Sequence, residues 1–287
     1  MTDLKTKPIR LAAMSAAMSA AMPAAMLAAL LALPPLAAAQ STPDVDTIVE
    51  KANLAAYYAG DDGRSEVRMI IYDEQGREQR RQFTILRRDI EDGGDQEFLV
   101  VFSRPSDVRG TTFLVKKHVG SDDDRWLYLP GLDLVKRISA GDKRTSFVGA
   151  HYFYEDVSGR SPEEDEHEFV EETDDYYVLR HVPKDPGMVE FEDYTTWIDK
   201  ETWLPMRIEY RNAAGETYRT IEAGAVETIE GFPTVTKSRV EDKSLGGYTL
   251  MQFRFIDYDI GLPADIFTER SLRRPPREWL ERTEGGS

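Results

Sequence analysis

The side chains that most often carry chemistry are sparse in this chain. It has four histidines (118, 151, 167 and 181) and no cysteine. That excludes disulfides, thiolate metal sites, thiol nucleophiles and a lipid-modified N-terminal Cys. No G-x-S-x-G elbow, P-loop or G-x-G-x-x-G occurs, and no two histidines form H-E-x-x-H or H-x-H. Two acidic stretches invite a metal. Glu164-Asp165-Glu166-His167-Glu168 offers carboxylates and an imidazole, and Asp122-Asp123-Asp124 resembles half a calcium loop. The first reads as a solvated loop without fixed geometry, and the second as a hairpin turn lacking the remaining ligand pattern. Among 52 Asp and Glu some pair lies close in any fold, so no acid–base couple stands out. The expectation is a protein that is not an enzyme and needs neither metal nor cofactor.

Charge narrows the partners. The 287 residues carry 36 Lys and Arg against 52 Asp and Glu, a formal net charge of −16. Nucleic acid is disfavoured, because phosphate binding is driven by counterion release at basic surfaces. Adsorption of the whole molecule to an anionic membrane by charge alone is disfavoured for the same reason. A hydrophobic content of 41% with 10% aromatics is enough to build a core, so wholesale disorder is excluded as well.

The first 39 residues read as a secretory signal peptide. Lys5, Lys7 and Arg10 form a basic segment, an uncharged Ala/Leu/Met run follows from Leu11 to Leu33, and Ala37-Ala38-Ala39 supplies an A-x-A cleavage site before Gln40. Cleavage after Ala39 would release Lys5, Lys7 and Arg10 with Asp3, deepening the net charge to −18. The expected destination is the periplasm. Residues 40–272 then form one domain, with 273–287 as a C-terminal tail.

Elements are legible from periodicity. Ser41 to Gly60 reads as a helix capped by Thr42, with Val45, Ile48, Val49, Ala52 and Ala56 on one stripe. From Ser65 the period becomes two. Val67, Met69 and Ile71, then Phe83 and Ile85, alternate with polar residues around a turn at 74–77. Phe98, Val100 and Phe102 follow with an equally apolar opposite face, so that strand is covered on both sides. Gly141 to Gly159 loses alternation and gathers Phe147, Tyr152, Phe153 and Tyr154 as an irregular or short helical crossover. Alternation resumes from Tyr176 to Tyr258, giving about ten or eleven strands in sequential hairpins. The fold expected is mostly β with minor α: one strongly curved antiparallel sheet, an unclosed β-barrel, covered by the N-terminal helix and the aromatic crossover.

One stretch carries a resemblance. Phe102-Ser103-Arg104-Pro105-Ser106-Asp107-Val108-Arg109-Gly110-Thr111-Thr112-Phe113-Leu114 has the pattern F-x-x-P-x-D-v-x-G-T-x-F-L. It is followed by Asp124-Arg125-Trp126-Leu127-Tyr128-Leu129-Pro130, Arg137-Ile138, Ser146-Phe147-Val148-Gly149 and Tyr154-Glu155-Asp156. In that order these resemble the outer-membrane lipoprotein-sorting protein family, the LolA-like group, in a divergent branch. The likeness continues at Trp197-Ile198-Asp199-Lys200, Leu204-Pro205, the Gly215 turn and Phe267-Thr268-Glu269-Arg270. It implies a LolA/LolB-like fold with an apolar cavity for the acyl chains of a lipid or lipoprotein. It further implies an RND-type inner-membrane transporter as donor and an outer-membrane acceptor. It transfers no catalytic residues.

The residues expected to line the concave face are Val67, Met69, Ile71, Phe83, Ile85, Phe98, Val100 and Phe102, continued by Phe113, Val115, Trp126 and Tyr128. The lid would be Val45, Ile48, Val49 and Ala52 of the helix with Phe147, Tyr152 and Phe153 of the crossover. Two rival readings are a non-enzymatic envelope adaptor with a filled core and a hydrolase using scattered carboxylates. The adaptor differs from the carrier in one physical respect, which is whether the interior is hollow.

Overall fold

A computed structural model describes residues 42–281. The expected signal peptide and cleavage site lie outside the described residues. Helix α1 runs Val45–Tyr57, shorter than the expected 41–60. Asp44 caps it, accepting the Thr47 amide at 2.9 Å, so the cap is not Thr42. A carboxylate at that position also meets the positive end of the helix dipole. Thr42 instead donates its hydroxyl to Glu172.

Thirteen strands follow, all antiparallel to their neighbours. They are β1 (Asp62–Tyr72), β2 (Glu78–Asp89), β3 (Gln96–Arg104), β4 (Thr112–Lys117), β5 (Asp124–Leu129) and β6 (Leu134–Ile138), then β7 (Asp165–Glu172), β8 (Tyr176–Pro183), β9 (Asp193–Asp199), β10 (Pro205–Arg211), β11 (Thr217–Ile229), β12 (Phe232–Asp242) and β13 (Tyr248–Tyr258). The sheet order is β6-β5-β4-β3-β2-β1-β13-β12-β11-β10-β9-β8-β7. The expected antiparallel meander is therefore present and unclosed, with β6 and β7 as its two edges. Periodicity missed both edge strands, the short β6 and, with it, β7. The sequence of β7, DEHEFVEE, has no apolar alternation, so the acidic run expected as a solvated loop opens an edge strand instead. Charged side chains on an edge discourage pairing with other chains.

Residues 139–164 carry the chain from one edge of the sheet to the other and include helix α2 (Tyr154–Ser158). Beyond β13 the chain covers the outer face of β2–β6. Leu262, Ile266, Phe267 and Leu272 pack on Leu86, Leu99, Val101 and Leu114. Two short helices end the described chain, α3 (Glu269–Arg273) and α4 (Arg277–Leu280). Buried Arg64 holds α4 by donating to the carbonyls of Trp279 and Leu280, each at 3.0 Å. The apolar parity of both faces of β3, visible in the sequence, is thus explained by a layer on each side.

Candidate functional site

The inner face of the sheet is filled in one half and hollow in the other. In the first half Val67, Met69, Ile71, Phe83, Phe98, Val100, Phe102, Phe113 and Val115 form one buried cluster, with Ile85 packed against it. The crossover supplies the plug. Phe147 lies 5.6 Å from the Phe113 ring, 5.7 Å from Phe102 and 6.1 Å from Phe83, and Tyr154 closes on both Phe113 and Phe147. Each such ring pair adds roughly 0.5–1.5 kcal/mol beyond the area it buries.

Trp126 and Tyr128 do not join this face. Their expected position followed parity within β5 alone, whereas cross-strand partners share a face. Phe113 pairs with Leu127, and Leu114 with Trp126. Leu127 is therefore the inward residue, and Trp126 and Tyr128 pack on the outer cluster beneath the C-terminal segment.

Beneath the plug sits a buried electrostatic cluster. Glu155 is 1% exposed and meets Arg144 at 2.6 Å, Lys143 at 3.1 Å and Arg160 at 3.3 Å. Burial pushes its carboxyl up, but these three cations outweigh burial and bring it down to about 2. Arg219, fully buried, pairs with Asp156 and lies 4.2 Å over the Phe153 ring. Arg144 also forks onto Glu190 with two 2.8 Å hydrogen bonds. Desolvation offsets much of what such pairs contribute, but removing one partner strands the other. The cluster thus fixes where the crossover lies.

In the second half a cavity of about 420 Å³ opens between α1, the end of α2 and the inner face of β8–β13, within the ordinary size of a small-molecule site. Its apolar wall includes Ile198, Ile208, Ile221, Phe253 and Ile256, opposite Val49, Ala52 and Ala56 of α1. Of the twelve expected concave-face residues only Ile85 and Phe98 reach it; of the expected lid only Val49, Ala52 and Tyr152 do. Val45 and Ile48 hold α1 down on Leu179 and Ile198, Phe147 belongs to the plug, and the Phe153 ring lies against Arg144 and Arg219. The wall residues that sequence reasoning missed come from β9–β13. Alternation such as Ile208/Tyr210 and Met251/Phe253 was the available signal.

Several polar groups on this wall bond to one another or to neighbours. His167 Nε2 donates to the Pro162 carbonyl at 3.0 Å, so its Nδ1 accepts from His181 Nδ1 at 2.7 Å. His181 Nε2 then accepts from the Thr196 hydroxyl at 2.7 Å. Burial, with His167 and Arg160 nearby, lowers His181 to about 3, keeping it neutral. Two histidines that look unrelated in sequence, 14 residues apart, meet because β7 pairs with β8. Tyr152 shares a 2.6 Å bond with Ser238, and Tyr194 donates to Asp165 at 2.7 Å. Among the described residues no group of three or more His, Asp or Glu is placed to hold a metal.

Helix α1 is fastened mainly at one end. Arg87 donates to the carbonyls of Tyr57, Ala59 and Gly60, and Gln96 reaches Tyr57 O at 2.8 Å. These cap the orphan carbonyls of the last turn. The Tyr57 ring lies against Gly159 so closely that a Cβ there would come within 2.4 Å. Toward the other end the contacts are apolar, apart from Lys51 over the Trp203 ring at 4.3 Å, the Asp44 cap and the Thr42–Glu172 bond.

A family model described as that of an uncharacterized protein matches residues 94–274. A DUF1329 family protein from Desulfovibrio piger is 31% identical, with 79% of this chain and 96% of that chain covered and a TM-score of 0.72. The chain belongs to the DUF1329 family. This DUF1329 protein is also similar to a protein domain from Vibrio parahaemolyticus described as outer membrane lipoprotein-sorting, at 25% identity, 80% and 98% coverage and a TM-score of 0.73. A LolA superfamily protein from Nitrosomonas europaea, at 20% identity, shares the fold, with 80% and 99% coverage and a TM-score of 0.62. No curated protein matches the sequence. The resemblance read from the motifs and the unclosed sheet agree with these relatives.

Proposed function

We propose that this DUF1329 protein is a periplasmic carrier whose cavity beneath α1 shelters the acyl chain of a lipid or lipoprotein during transfer toward the outer membrane. An inner-membrane transporter, of RND type by the sequence resemblance, would load it, and an outer-membrane acceptor would receive the cargo. The observation that carries this reading is the wall itself. It is apolar over most of its area, and several of its polar side chains, Tyr152, His167, His181, Tyr194 and Thr196, are bonded to one another or to neighbours. Such a wall asks few hydrogen bonds of its occupant, which suits a hydrocarbon tail.

Energetics favour exchange over capture. An acyl chain of about 15 methylenes leaving water at about 0.8 kcal/mol each gains on the order of 12 kcal/mol. A bilayer offers nearly the same, so direction must come from donor and acceptor. The cavity in the second half supports the carrier reading over an adaptor with a filled core.

Native mass spectrometry of the mature protein from its own envelope tests the reading, together with uptake of a fluorescent fatty acid. Co-purifying lipid and saturable uptake are expected. Repeated absence of both would overturn it. The cavity-filling variant Ile208→Trp is expected to fold and to lose uptake.

A further inference from the structure

One end of the sheet presents an apolar knob among arginines, in a chain whose net charge is −16. Leu132 is 73% exposed and Leu134 47% exposed, on and beside the turn joining β5 to β6. The turn is braced rather than loose. Asp133 accepts Tyr128 Oη at 3.2 Å and Arg273 Nε at 3.0 Å. Its own amide donates to Pro130 O at 3.2 Å, and Pro130 packs beside Gly110 of the β3–β4 loop. Helix α3 packs on β4 and β5. Three segments therefore converge here, and they carry exposed Arg104, Arg109, Lys136, Arg270, Arg273 and Arg274 with Asp107, Asp133, Asp265 and Glu269. Nothing in the turn's hydrogen bonding requires a leucine at its tip, yet the surroundings hold that leucine outward.

We propose that this pole docks the protein on an anionic phospholipid surface. Leu132 and Leu134 would enter the head-group layer, and the surrounding guanidinium groups would contact phosphates. The whole-chain charge does not forbid this. At physiological ionic strength the Debye length is about 8 Å, so carboxylates at the far end of the sheet are screened while the local excess of basic groups is not. The assignment stands apart from what the cavity holds, since no residue of the pole lines it.

The test is flotation of the mature protein with phosphatidylglycerol–phosphatidylcholine vesicles and with phosphatidylcholine alone, at physiological ionic strength. Binding to the anionic vesicles only is expected. Leu132→Asp and the pair Arg104→Glu/Arg109→Glu should each weaken it at least about tenfold. Leu245→Asp, at another exposed leucine, on the β12–β13 turn, should leave it unchanged. All these sites are at the surface, and a matching thermal melt verifies folding of each variant. No binding to anionic vesicles, equal binding to both vesicle types, or equal losses from Leu132→Asp and Leu245→Asp would overturn the proposal. Pole variants that lose vesicle binding while still taking up fatty acid would keep this result separate from that for the cavity.

Discussion

The two halves of the inner face are built from the same strand chemistry and end differently. Over β1–β5 the face meets Phe147, Tyr152 and Tyr154 of the crossover and becomes close-packed. Over β8–β13 it meets α1 across a gap and stays hollow. What separates them is the layer above the sheet, not the sheet. A strand's alternation says that one side leaves water, and it does not say whether a side chain or a ligand meets it there.

Measurements on both halves sharpen or break that comparison. The largest effect belongs to the plug. Phe147→Ala is expected to destabilise by about 3–5 kcal/mol in urea unfolding, since transfer and cavity terms both apply. Glu155→Ala should cost about 3 kcal/mol, since Arg144, Lys143 and Arg160 lose their shared buried carboxylate while keeping Glu190, Glu164 and Asp165. On the hollow side Ile208→Ala should cost only about 2 kcal/mol, the low end of such truncations, because little packing is lost. Equal losses from Phe147→Ala and Ile208→Ala would mean that both halves are filled.

Enlargement reverses the contrast. Ala150→Leu, in the plug at 2% exposure, should destabilise by about 1–3 kcal/mol. Ala56→Leu, facing the cavity, should be tolerated within about 0.5 kcal/mol while lowering fatty-acid uptake.

A further effect is a pH slope. His181 is lowered by burial from 6.5 to about 3, so the unfolded chain binds a proton that the folded chain refuses. The stability that follows is present above pH 6.5 and lost progressively as pH falls toward 3, by up to about 1.4 kcal/mol per unit. Glu155, held to about 2, adds loss in the same direction only below its ordinary 4.5. Between 6.5 and 4.5 His181 is opposed by Asp89, whose carboxyl is raised by burial from 3.8 to about 6, and His181→Gln should remove the histidine's share of the slope in urea melts at stepped pH.

Much of the architecture was legible in the sequence because hairpins are local. The turns at 74–77 and 92–95 and the alternation of Val67 to Phe102 place β1–β3 without further help. The site was less legible, for two reasons. Trp126 and Tyr128 were misplaced because parity within a strand does not determine register across strands, and only the Phe113–Leu127 pairing does. The hollow was sought in the half with the richest aromatics, although those rings attract their own partners and fill the space. The His167–His181 contact was out of reach because β7 carries no apolar signal, and without β7 the two imidazoles have no reason to meet.

The pairing of β1 with β13 sets when this sheet can exist. Met69 lies opposite Met251, so the centre of the sheet joins segments from opposite ends of the domain while its edges, β6 and β7, come from the middle. Loop closure over that separation is slow, and the seam cannot form until Tyr258 has emerged. A nascent or partly threaded chain therefore holds only two unjoined half-sheets. Export as an unfolded polypeptide would then be assisted by the topology itself, with assembly deferred until the last strand arrives.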